Sequence, residues 1–457
     1  MGAIGQLARF VTETKIGDVH PDTVDHLRLH LFDTLGAAIV GGATAEGKAV
    51  AGLVEDLAGP GSIVAAGLPV RTSPPLAALA TCAAIRCTEI DDIHMESCTT
   101  PASIVVPVAL ALAQCRPQVD TNDFLAAILV GYEMLARLGK AASGPVILYR
   151  GIWPTYLSGA FGSAATAARL LGLSGDETAH ALAVALTLTT GTRGRITGLS
   201  SRWLTLGCAA QNGILAALAA RRKLRGDLLL LESDWDKTVG IALDHEQLLD
   251  ALGDSYEIDR ASIKPYCAAK QTISAIDGFV QLLDQERLDP AAIERIVVAV
   301  PKHFVSMIDQ AEAPAYRQAS IVSVQYQLAL AAYHRSELLD VLRPDIHREQ
   351  EFRALMTKIS VEADESLHSY YPRAWPSRVE VYTPSGKLTR EVRHSKGDPS
   401  NPLNWDEVNH KLWSVVRGIA KRSSVDRLAS ACQALGAGVP LADFLTAVSD
   451  ATQEVDD

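Results

Sequence analysis

Two Ala-rich apolar segments, at residues 75–87 and 104–113, constrain the fold of this chain more strongly than any other feature. Their length and their scarcity of polar side chains predict two buried helices. The stretch that connects them, residues 87–103, has the opposite character and reads CTEIDDIHMESCTTPAS. We call it the acidic stretch. It contains four carboxylates and one imidazole, which are Glu89, Asp91, Asp92, Glu96 and His94.

Charged side chains between two buried helices must be solvated, paired or functional, because burial of an unpaired charge is costly. Two interpretations of the acidic stretch are therefore open. It is either a solvated loop between helices or the floor of an active site. In the second case neighbouring carboxylates shift one another's pKa values and prepare acid–base chemistry.

The composition favours a helical protein. Hydrophobic residues make up 48% of the chain and aromatic residues only 5%, so the apolar content is mostly Ala, Leu, Val and Ile. A length of 457 residues suggests two or three domains. The net charge of −11 argues against nucleic-acid binding, which needs clustered Lys and Arg. A local basic pocket for an anionic metabolite remains compatible with this charge.

The seven cysteines are scattered and form no CxxC pair. This pattern predicts reduced thiols in a cytoplasmic protein and no zinc site. The N-terminal residues lack the apolar segment of a signal peptide, and no membrane span is expected. Asp91, Asp92 and His94 are the only candidates for metal ligands, and their spacing follows no known metal motif, so no metal and no cofactor are expected.

The character of the sequence changes near residue 255. Residues 293–300 have strand character, and residues 378–393 alternate on both sides of a Pro-Ser-Gly turn, which predicts a β-hairpin. Residues 272–283 and 323–334 are predicted helices. We therefore expect a mainly α protein with a large all-helical domain, formed by residues 1–258 and 402–457, and a smaller α+β lid domain at residues 259–401.

Local signals also predict where several helices begin and end. Ser174 with Glu177, and Asn404 with Glu407, have the spacing of capping boxes. Gly41 and Gly42 follow an apolar helical segment and are predicted to end it. Small residues in the segment 151–171 predict that its helix packs very closely against a neighbour.

Common cofactor and nucleophile motifs are missing from the sequence. There is no GxGxxG after a strand, no Walker loop, no GxSxG and no HExxH, so acid–base chemistry by side chains is the remaining expectation. Basic residues that could serve it are Arg193, Arg195, Arg202, Lys264 and Lys270. Each alone is more often a solvated surface charge. Lys264 differs because it lies in an apolar setting at the predicted domain junction, where it could bind a carboxylate or remove a proton.

Seven stretches in order along the chain resemble the MmgE/PrpD family. They read EIDDIHMESCTTPASIVVPVALALA, GYEMLARLG, GIWPTYLSGAFGSAATAARLLGL, SSRWLTLGCAAQNGILAALA, KPYCAAKQTISAIDG, SVQYQLALAAY and GDPSNPLNWDEVNHK. The family includes 2-methylcitrate dehydratase, cis-aconitate decarboxylase and iminodisuccinate epimerase. The resemblance implies a helical domain with an α+β lid, a homodimer, and an active site between the two domains.

The sequence departs from the dehydratases and decarboxylases at several positions. Thr100 stands where those members have the His of a His-Pro pair, and Trp153 stands where they have a His before Pro-Thr. Arg202 replaces a Lys, and Ala269 replaces a His. The residues Lys264, Asp91 and Asp92 match the family. The usual imidazoles are therefore missing, while the acidic residues and the anion-binding Lys are present.

The resemblance and these departures together imply a cofactor-independent epimerase, which moves the α-proton of an N-substituted dicarboxylic amino acid such as iminodisuccinate. The candidate catalytic residues are Lys264, Asp91, Asp92, His94 and Tyr156. The candidate substrate-binding residues are Arg202, Lys270 and Thr155. The alternatives are a lyase of a small tricarboxylate and a non-catalytic dimer that binds polycarboxylates. The expected partners are a small polycarboxylate and a second copy of the chain, with no nucleic acid and no membrane.

Overall fold

The computed structural model describes residues 2–57, 61–116, 118–189, 201–233, 240–312, 314–343 and 347–453. The chain divides into two compact units. The first unit comprises the described parts of Met1–Arg195, Ser200–Ala261 and Asn404–Asp457, and the second comprises those of Ser262–Leu403. Most described residues are helical and the sheets are small, so the predicted mainly α fold is confirmed.

Helices make up most of the described residues, and the strands among them are short. In chain order the helices are α1 Ala3–Glu13, α2 Pro21–Ala43, α3 Ala45–Leu57, α4 Pro74–Thr88, α5 Ala102–Ala113, α6 Thr121–Ala141, α7 Gly144–Tyr149, α8 Pro154–Leu171, α9 Gly175–Thr187, α10 Ser201–Arg221, α11 His245–Leu249, α12 Lys270–Gln285, α13 Lys302–Ile308, α14 Arg317–Ser320, α15 Val324–Tyr333, α16 Gln350–Thr357, α17 Glu365–His368, α18 Trp405–Val416, α19 Arg422–Ala434 and α20 Leu441–Gln453. The strands are β1 Ile63–Val64, β2 Arg71–Thr72, β3 Ile93–His94, β4 Ala261–Ser262, β5 Arg295–Val300, β6 Ile359–Ala363, β7 Ser377–Thr383 and β8 Gly386–Val392.

Helix α8 packs against α6 and α10 in the core of the first unit. A Cβ atom added at Gly162 would lie 2.6 Å from the Leu135 Cβ, and one added at Gly159 would lie 2.9 Å from the Ala209 Cβ. Both distances are shorter than packed side chains allow, so only glycine permits these helices to approach so closely. The close packing predicted for this segment is confirmed. The capping boxes of Ser174 with Glu177 and of Asn404 with Glu407 are present as predicted.

Helix α2 does not end at Gly41 and Gly42, and this prediction was wrong. The helix continues to Ala43, and Thr44 is its C-cap residue. Both glycines face other backbone segments, because a Cβ at Gly41 would collide with the Ala84 carbonyl and one at Gly42 with the Gly67 carbonyl. Tertiary packing, and not helix termination, therefore explains the two glycines.

The second unit contains a four-stranded sheet with the order β6-β5-β7-β8. Strands β5 and β6 are parallel and pair Ile296 with Ile359, whereas β5 and β7 are antiparallel. Strands β7 and β8 form the predicted hairpin, in which Thr383 pairs with Gly386. Helix α12 packs on β7 and β8. The predicted strand at 293–300 and the predicted helices at 272–283 and 323–334 are confirmed as β5, α12 and α15.

Helix α10 is long and apolar enough to cross a membrane, by length and composition alone. Within its apolar window, 56% of the residues are buried inside the structure, and the helix packs on α4, α8 and α9. Helices α2 and α3 pass the same test only together, across a bend of 80°. Such burial is typical of the core helices of a large helical domain.

Candidate active site

The acidic stretch is buried in the first unit, so the interpretation as a solvated loop was wrong. Asp91, Asp92 and His94 have no exposed surface, and Glu89 is 6% exposed. Helix α4 ends at Thr88, and Glu89 follows in the left-handed backbone region with φ of 61°. Helix α5 resumes at Ala102. The stretch therefore connects α4 to α5 inside the unit. Its charged side chains are shielded from solvent and must be neutralised by other protein groups.

Two arginines neutralise the carboxylates at the start of the acidic stretch. Arg86 forms an ion pair with Asp91 and lies 3.5 Å from Glu89. Arg202 donates to the other Glu89 oxygen over 2.9 Å. Burial lowers the pKa of Arg86, but attraction to Asp91 and Glu89 outweighs burial and raises this pKa above its ordinary value. The side chains form a continuous network of alternating charge.

Two tryptophans cover the two guanidinium groups. The Arg202 Cζ lies 3.7 Å from the centre of the Trp203 ring, and the Arg86 Cζ lies 5.0 Å from the centre of the Trp153 ring. The ring centres of Trp153 and Tyr156 are 5.9 Å apart. These cation–π contacts hold the arginines in place without consuming their N–H donors. Trp153 therefore supports the guanidinium groups at a position where lyase members have an imidazole.

Tyr156 and Thr155 lie on the first turn of α8. Burial raises the pKa of the Tyr156 phenol, although Arg202 and Arg86 oppose this shift. The phenol is therefore neutral near pH 7 and can donate a hydrogen bond, but it is a weaker acid than an ordinary tyrosine. The Thr155 hydroxyl accepts from the Thr100 backbone N–H over 3.2 Å and lies 3.5 Å from the Thr100 hydroxyl. The two threonines connect α8 to the end of the acidic stretch.

Asp92 is the centre of a second group of side chains. Its Oδ2 accepts a hydrogen bond of 2.7 Å from the Tyr132 hydroxyl, and its Oδ1 accepts one of 3.3 Å from the Ala102 N–H. The His30 Nδ1 lies 3.3 Å from Asp92 Oδ2, although the ring is not aligned for a hydrogen bond. The side chain of His30 is buried on α2. This arrangement places an imidazole, a carboxylate and a phenol together at the N-terminus of α5.

His30 was not among the residues predicted from the sequence. It lies on an apolar helix among residues such as Leu27 and Leu31, and nothing nearby in the sequence marks it as functional. The structure shows a second buried polar residue, Asp33, three positions later on the same helix. Polar residues on the buried face of a helix require partners, and these partners were not visible in the local sequence.

His94 is engaged by protein partners on both sides of its ring. Its Nδ1 lies 2.8 Å from the Ser97 hydroxyl, and its Nε2 lies 3.0 Å from Glu257 Oε2. Glu257 also accepts from Lys140 over 2.7 Å. Burial alone would raise the pKa of Glu257, but the close contacts with His94 and Lys140 outweigh burial and lower this pKa far below its ordinary value. The geometry assigns His94 a role in fixing the turn of the acidic stretch.

The basic candidates of the second unit are both buried. Lys270 forms an ion pair with Asp398 and donates to the Ser395 hydroxyl over 2.8 Å. The Lys270 ammonium is therefore neutralised by Asp398 inside this unit. Lys264 is 2% exposed, and the preceding Ile263 N–H donates to the Gly397 carbonyl over 3.0 Å.

The structure thus groups the candidates by unit. Asp91, Arg202 and Tyr156 lie together in the first unit, as do Asp92 and His30, while Lys264 and Lys270 belong to the second. Arg193 and Arg195 lie outside the described residues.

Among the described residues, the group of side chains that could hold a metal is His334, His347 and Glu349. The prediction that Asp91, Asp92 and His94 were the only candidates for metal ligands was therefore wrong, because the sequence separation of His334 and His347 gave no ligand motif.

The mainly helical fold holds a buried network of carboxylates, guanidinium groups, phenols and imidazoles, a setting in which enzymes place groups for acid–base chemistry. The MmgE/PrpD N-terminal domain matches residues 5–253, and the MmgE/PrpD C-terminal domain matches residues 266–435. The chain belongs to the MmgE/PrpD family, as the sequence resemblance predicted.

Three relatives show how far this similarity extends. The cis-aconitate decarboxylase-like protein oryM of Aspergillus oryzae is 24% identical over 97% of this chain and 96% of its own length. The cis-aconitate decarboxylase of Homo sapiens is 30% identical over 48% of this chain and 46% of its own length. That of Aspergillus terreus is 28% identical over 48% of this chain and 46% of its own length. The chain thus matches about half the length of these two decarboxylases.

Proposed function

We propose that this enzyme is a cofactor-independent lyase that removes CO2 or water from a small polycarboxylate, such as cis-aconitate or 2-methylcitrate. The relatives are named as cis-aconitate decarboxylases or decarboxylase-like, and these names support decarboxylation of a tricarboxylate as the reaction. The observation that carries the proposal is the position of His30, 3.3 Å from Asp92. Asp92 in turn accepts a hydrogen bond from the Ala102 N–H. Ala102 follows by two residues Thr100, the position at which lyase members have an imidazole.

Both lyase reactions need a proton donor. In a decarboxylation the bond to the departing carboxylate breaks, its electron pair stays on the neighbouring carbon, and an acid protonates that carbon. In a dehydration a base removes a proton and an acid protonates the departing hydroxyl. The His30 imidazole, whose Nδ1 lies 3.3 Å from Asp92 Oδ2, is the proton donor in this proposal, and the neutral Tyr156 phenol can donate a hydrogen bond.

Anion binding falls to the basic side chains. Arg202 is held by Glu89 on one side and by the Trp203 ring on the other, so its guanidinium is positioned before substrate arrives. Preorganised positive charge stabilises the carbanion that forms when CO2 or a proton leaves. Lys264 is assigned to a substrate carboxylate in this proposal, because it matches the Lys of the family.

An epimerase of an iminodisuccinate-like diacid is the second candidate. The observation that favours it is the use of Thr100 and Trp153 in packing. The Thr100 hydroxyl accepts from Ser103 over 3.3 Å and lies near Thr155, and Trp153 lies against the guanidinium of Arg86. Neither side chain is a sufficient acid for a departing hydroxide near pH 7. Epimerisation needs no such acid, since the proton leaves one face of the α-carbon and returns to the other.

Assays in D2O separate the two candidates. The purified protein is incubated with cis-aconitate, 2-methylcitrate and an iminodisuccinate-like diacid, and the products are followed by NMR. The lyase proposal expects loss of CO2 or water from a tricarboxylate. Exchange of an α-proton on the diacid, with no turnover of either tricarboxylate, would overturn it in favour of the epimerase.

Variants of two histidines on α2 test the assigned residue. His30→Gln removes the imidazole beside Asp92 and is expected to lower kcat about 10²–10⁴-fold. His26→Gln is the matched control, because His26 pairs with Asp259 over 2.8 Å and is half-exposed. Equal rates in the two folded variants would remove His30 from the mechanism.

A further inference from the structure

Two histidines and two glutamates come together in the second unit. His334 follows α15, Glu337 lies in the next turn, and Glu349 immediately precedes α16. The rings of His334 and His347 are stacked, with centres 3.7 Å apart and planes within 8° of parallel. Phe352 packs against both rings, with centres 5.3 and 5.9 Å away. The polar atoms therefore have an apolar wall behind them.

The ligand atoms of this group have the spacing of a metal site. Glu349 Oε1 lies 3.2 Å from His347 Nδ1 and 3.5 Å from His334 Nε2. All three ligand atoms are within 4.8 Å of one another. A tetrahedral Zn²⁺ with bonds of about 2.1 Å separates its ligand atoms by about 3.4 Å. Small rotations of the side chains would therefore bring all three to bonding distance of one ion.

Glu337 supplies the outer support that metal-binding histidines usually have. Its Oε2 lies 2.8 Å from His347 Nε2, and its Oε1 lies 3.8 Å from His334 Nδ1. A carboxylate on one ring nitrogen keeps the proton there and leaves the lone pair on the other nitrogen. In His347 that other nitrogen is Nδ1, which faces Glu349.

The charges of the group also favour a cation. Two glutamates, Glu337 and Glu349, lie against the two rings, and a divalent cation has the opposite charge to both carboxylates. A divalent ion would neutralise both glutamates at once.

We propose that His334, His347 and Glu349 form a site for one Zn²⁺ ion, with water as the fourth ligand. The ion would tie the end of α15 to the beginning of α16 and stabilise this part of the second unit. Glu349 is half-exposed, so the ion has access from solvent. Nitrogen and oxygen ligands in a set of three favour Zn²⁺ over Mg²⁺ and Ca²⁺, which prefer oxygen ligands alone.

Metal titration of the untagged full-length chain tests this site. After dialysis against EDTA, Zn²⁺ is titrated calorimetrically, and we expect one ion per chain together with a higher melting temperature. His334→Gln and Glu349→Gln are each expected to weaken binding at least tenfold. Glu349→Gln is the variant of the two that is less prone to misfolding, because Glu349 is half-exposed. His303→Gln is the control, because His303 and His368 form another histidine pair of the same unit, with ring centres 5.3 Å apart.

Three results would overturn the proposal. The first is the lack of stoichiometric Zn²⁺ binding. The second is binding that persists in both His334→Gln and Glu349→Gln but disappears in Cys115→Ser, which would place the ion at the exposed thiol of Cys115. The third is equal affinity for Mg²⁺. Replacement by Co²⁺ adds a direct measurement, since a four-coordinate site gives an intense visible absorption that His334→Gln should abolish.

Discussion

Lys411 donates a hydrogen bond of 2.6 Å to Asp33, and the same ammonium donates one of 2.8 Å to the Ile90 carbonyl. Lys411 lies on α18, Asp33 on α2, and Ile90 in the acidic stretch. Burial raises the pKa of Asp33, while Lys411 opposes this shift. One side chain therefore holds a late helix, an early helix and the candidate active site together.

Replacement of Lys411 should be strongly destabilising. Lys411→Met leaves Asp33 buried without its partner, which costs about 3–5 kcal/mol in free energy of unfolding. Urea denaturation measures this loss, and Lys48→Met at an exposed position is the control. The double variant Asp33→Asn with Lys411→Met should recover part of the loss, because no unpaired charge remains. A loss below about 1 kcal/mol in Lys411→Met would contradict the role assigned to this pair.

Glu133 should make the protein less stable as the pH rises. Burial raises the pKa of Glu133 from 4.5 to about 7. The folded protein then binds a proton that the unfolded chain releases, so stability falls between about pH 4.5 and pH 7. The shift corresponds to at most about 3 kcal/mol. In Glu133→Gln the part of this fall that Glu133 causes should disappear, as measured by denaturant unfolding at several pH values.

Glu177 provides a comparison of opposite sign. The hydrogen bond from Lys223 lowers the pKa of Glu177 to about 2. Its stabilising contribution is present above about pH 4.5 and is lost as the pH falls towards 2. Glu177→Gln should consequently leave the slope between about pH 4.5 and pH 7 unchanged. If Glu133→Gln and Glu177→Gln both reduce the slope of stability against pH in this interval, the fall in stability does not originate at Glu133.

Lys264 should contribute far more to activity than an exposed lysine of the same unit. Loss of a charge-assisted contact to a carboxylate is worth about 1.5–3 kcal/mol, and loss of a proton-transfer role adds about 10²–10⁴-fold. We therefore expect a large decrease in kcat/KM for Lys264→Ala and none for Lys302→Ala, at an exposed position. Rescue by Lys264→Arg would indicate that Lys264 binds substrate and that another group transfers the proton.

Catalysis should not depend on a metal ion. Asp91 and Glu89 are paired with Arg86 and Arg202, and Asp92 accepts from Tyr132, so these carboxylates already have cationic or hydrogen-bonding partners. EDTA-treated protein is expected to keep its full turnover rate. Activity that is lost on chelation and restored by added metal would disprove this expectation, whereas a change in melting temperature alone would concern only the zinc site.

The protein should form a homodimer through its helical domain. Ala-rich helical faces suit close packing between large surfaces, and the first unit exposes apolar side chains such as Leu215 and Leu229. Sedimentation at micromolar concentration is expected to give twice the chain mass of 48.8 kDa. A single species at the chain mass would refute the prediction.

Local features of the fold were predictable because their causes lie within a few residues. The hairpin of β7 and β8 follows from alternation around one turn, and the capping boxes follow from a spacing of three residues. The predicted helix end at Gly41 and Gly42 was wrong, because these positions require glycine for close contact with distant backbone and not for a local conformation.

The candidate site was predictable only in part for the same reason. The acidic stretch was visible in the sequence, but its partners were not. His94 and Glu257 are separated by more than 160 positions, and Asp33 and Lys411 by more than 370. Ion pairs over such separations are formed by the tertiary fold, and composition or periodicity carries no information about them.

The pairing of Asp33 with Lys411 has a consequence for biosynthesis. Translation at about 5–20 residues per second delivers Lys411 about 15–60 seconds after Ile90. During this interval the nascent chain carries the acidic stretch without the cation that holds Ile90 and Asp33, and the residues of the second unit are synthesised in between. The first unit can therefore complete this contact only after its last helices have been synthesised.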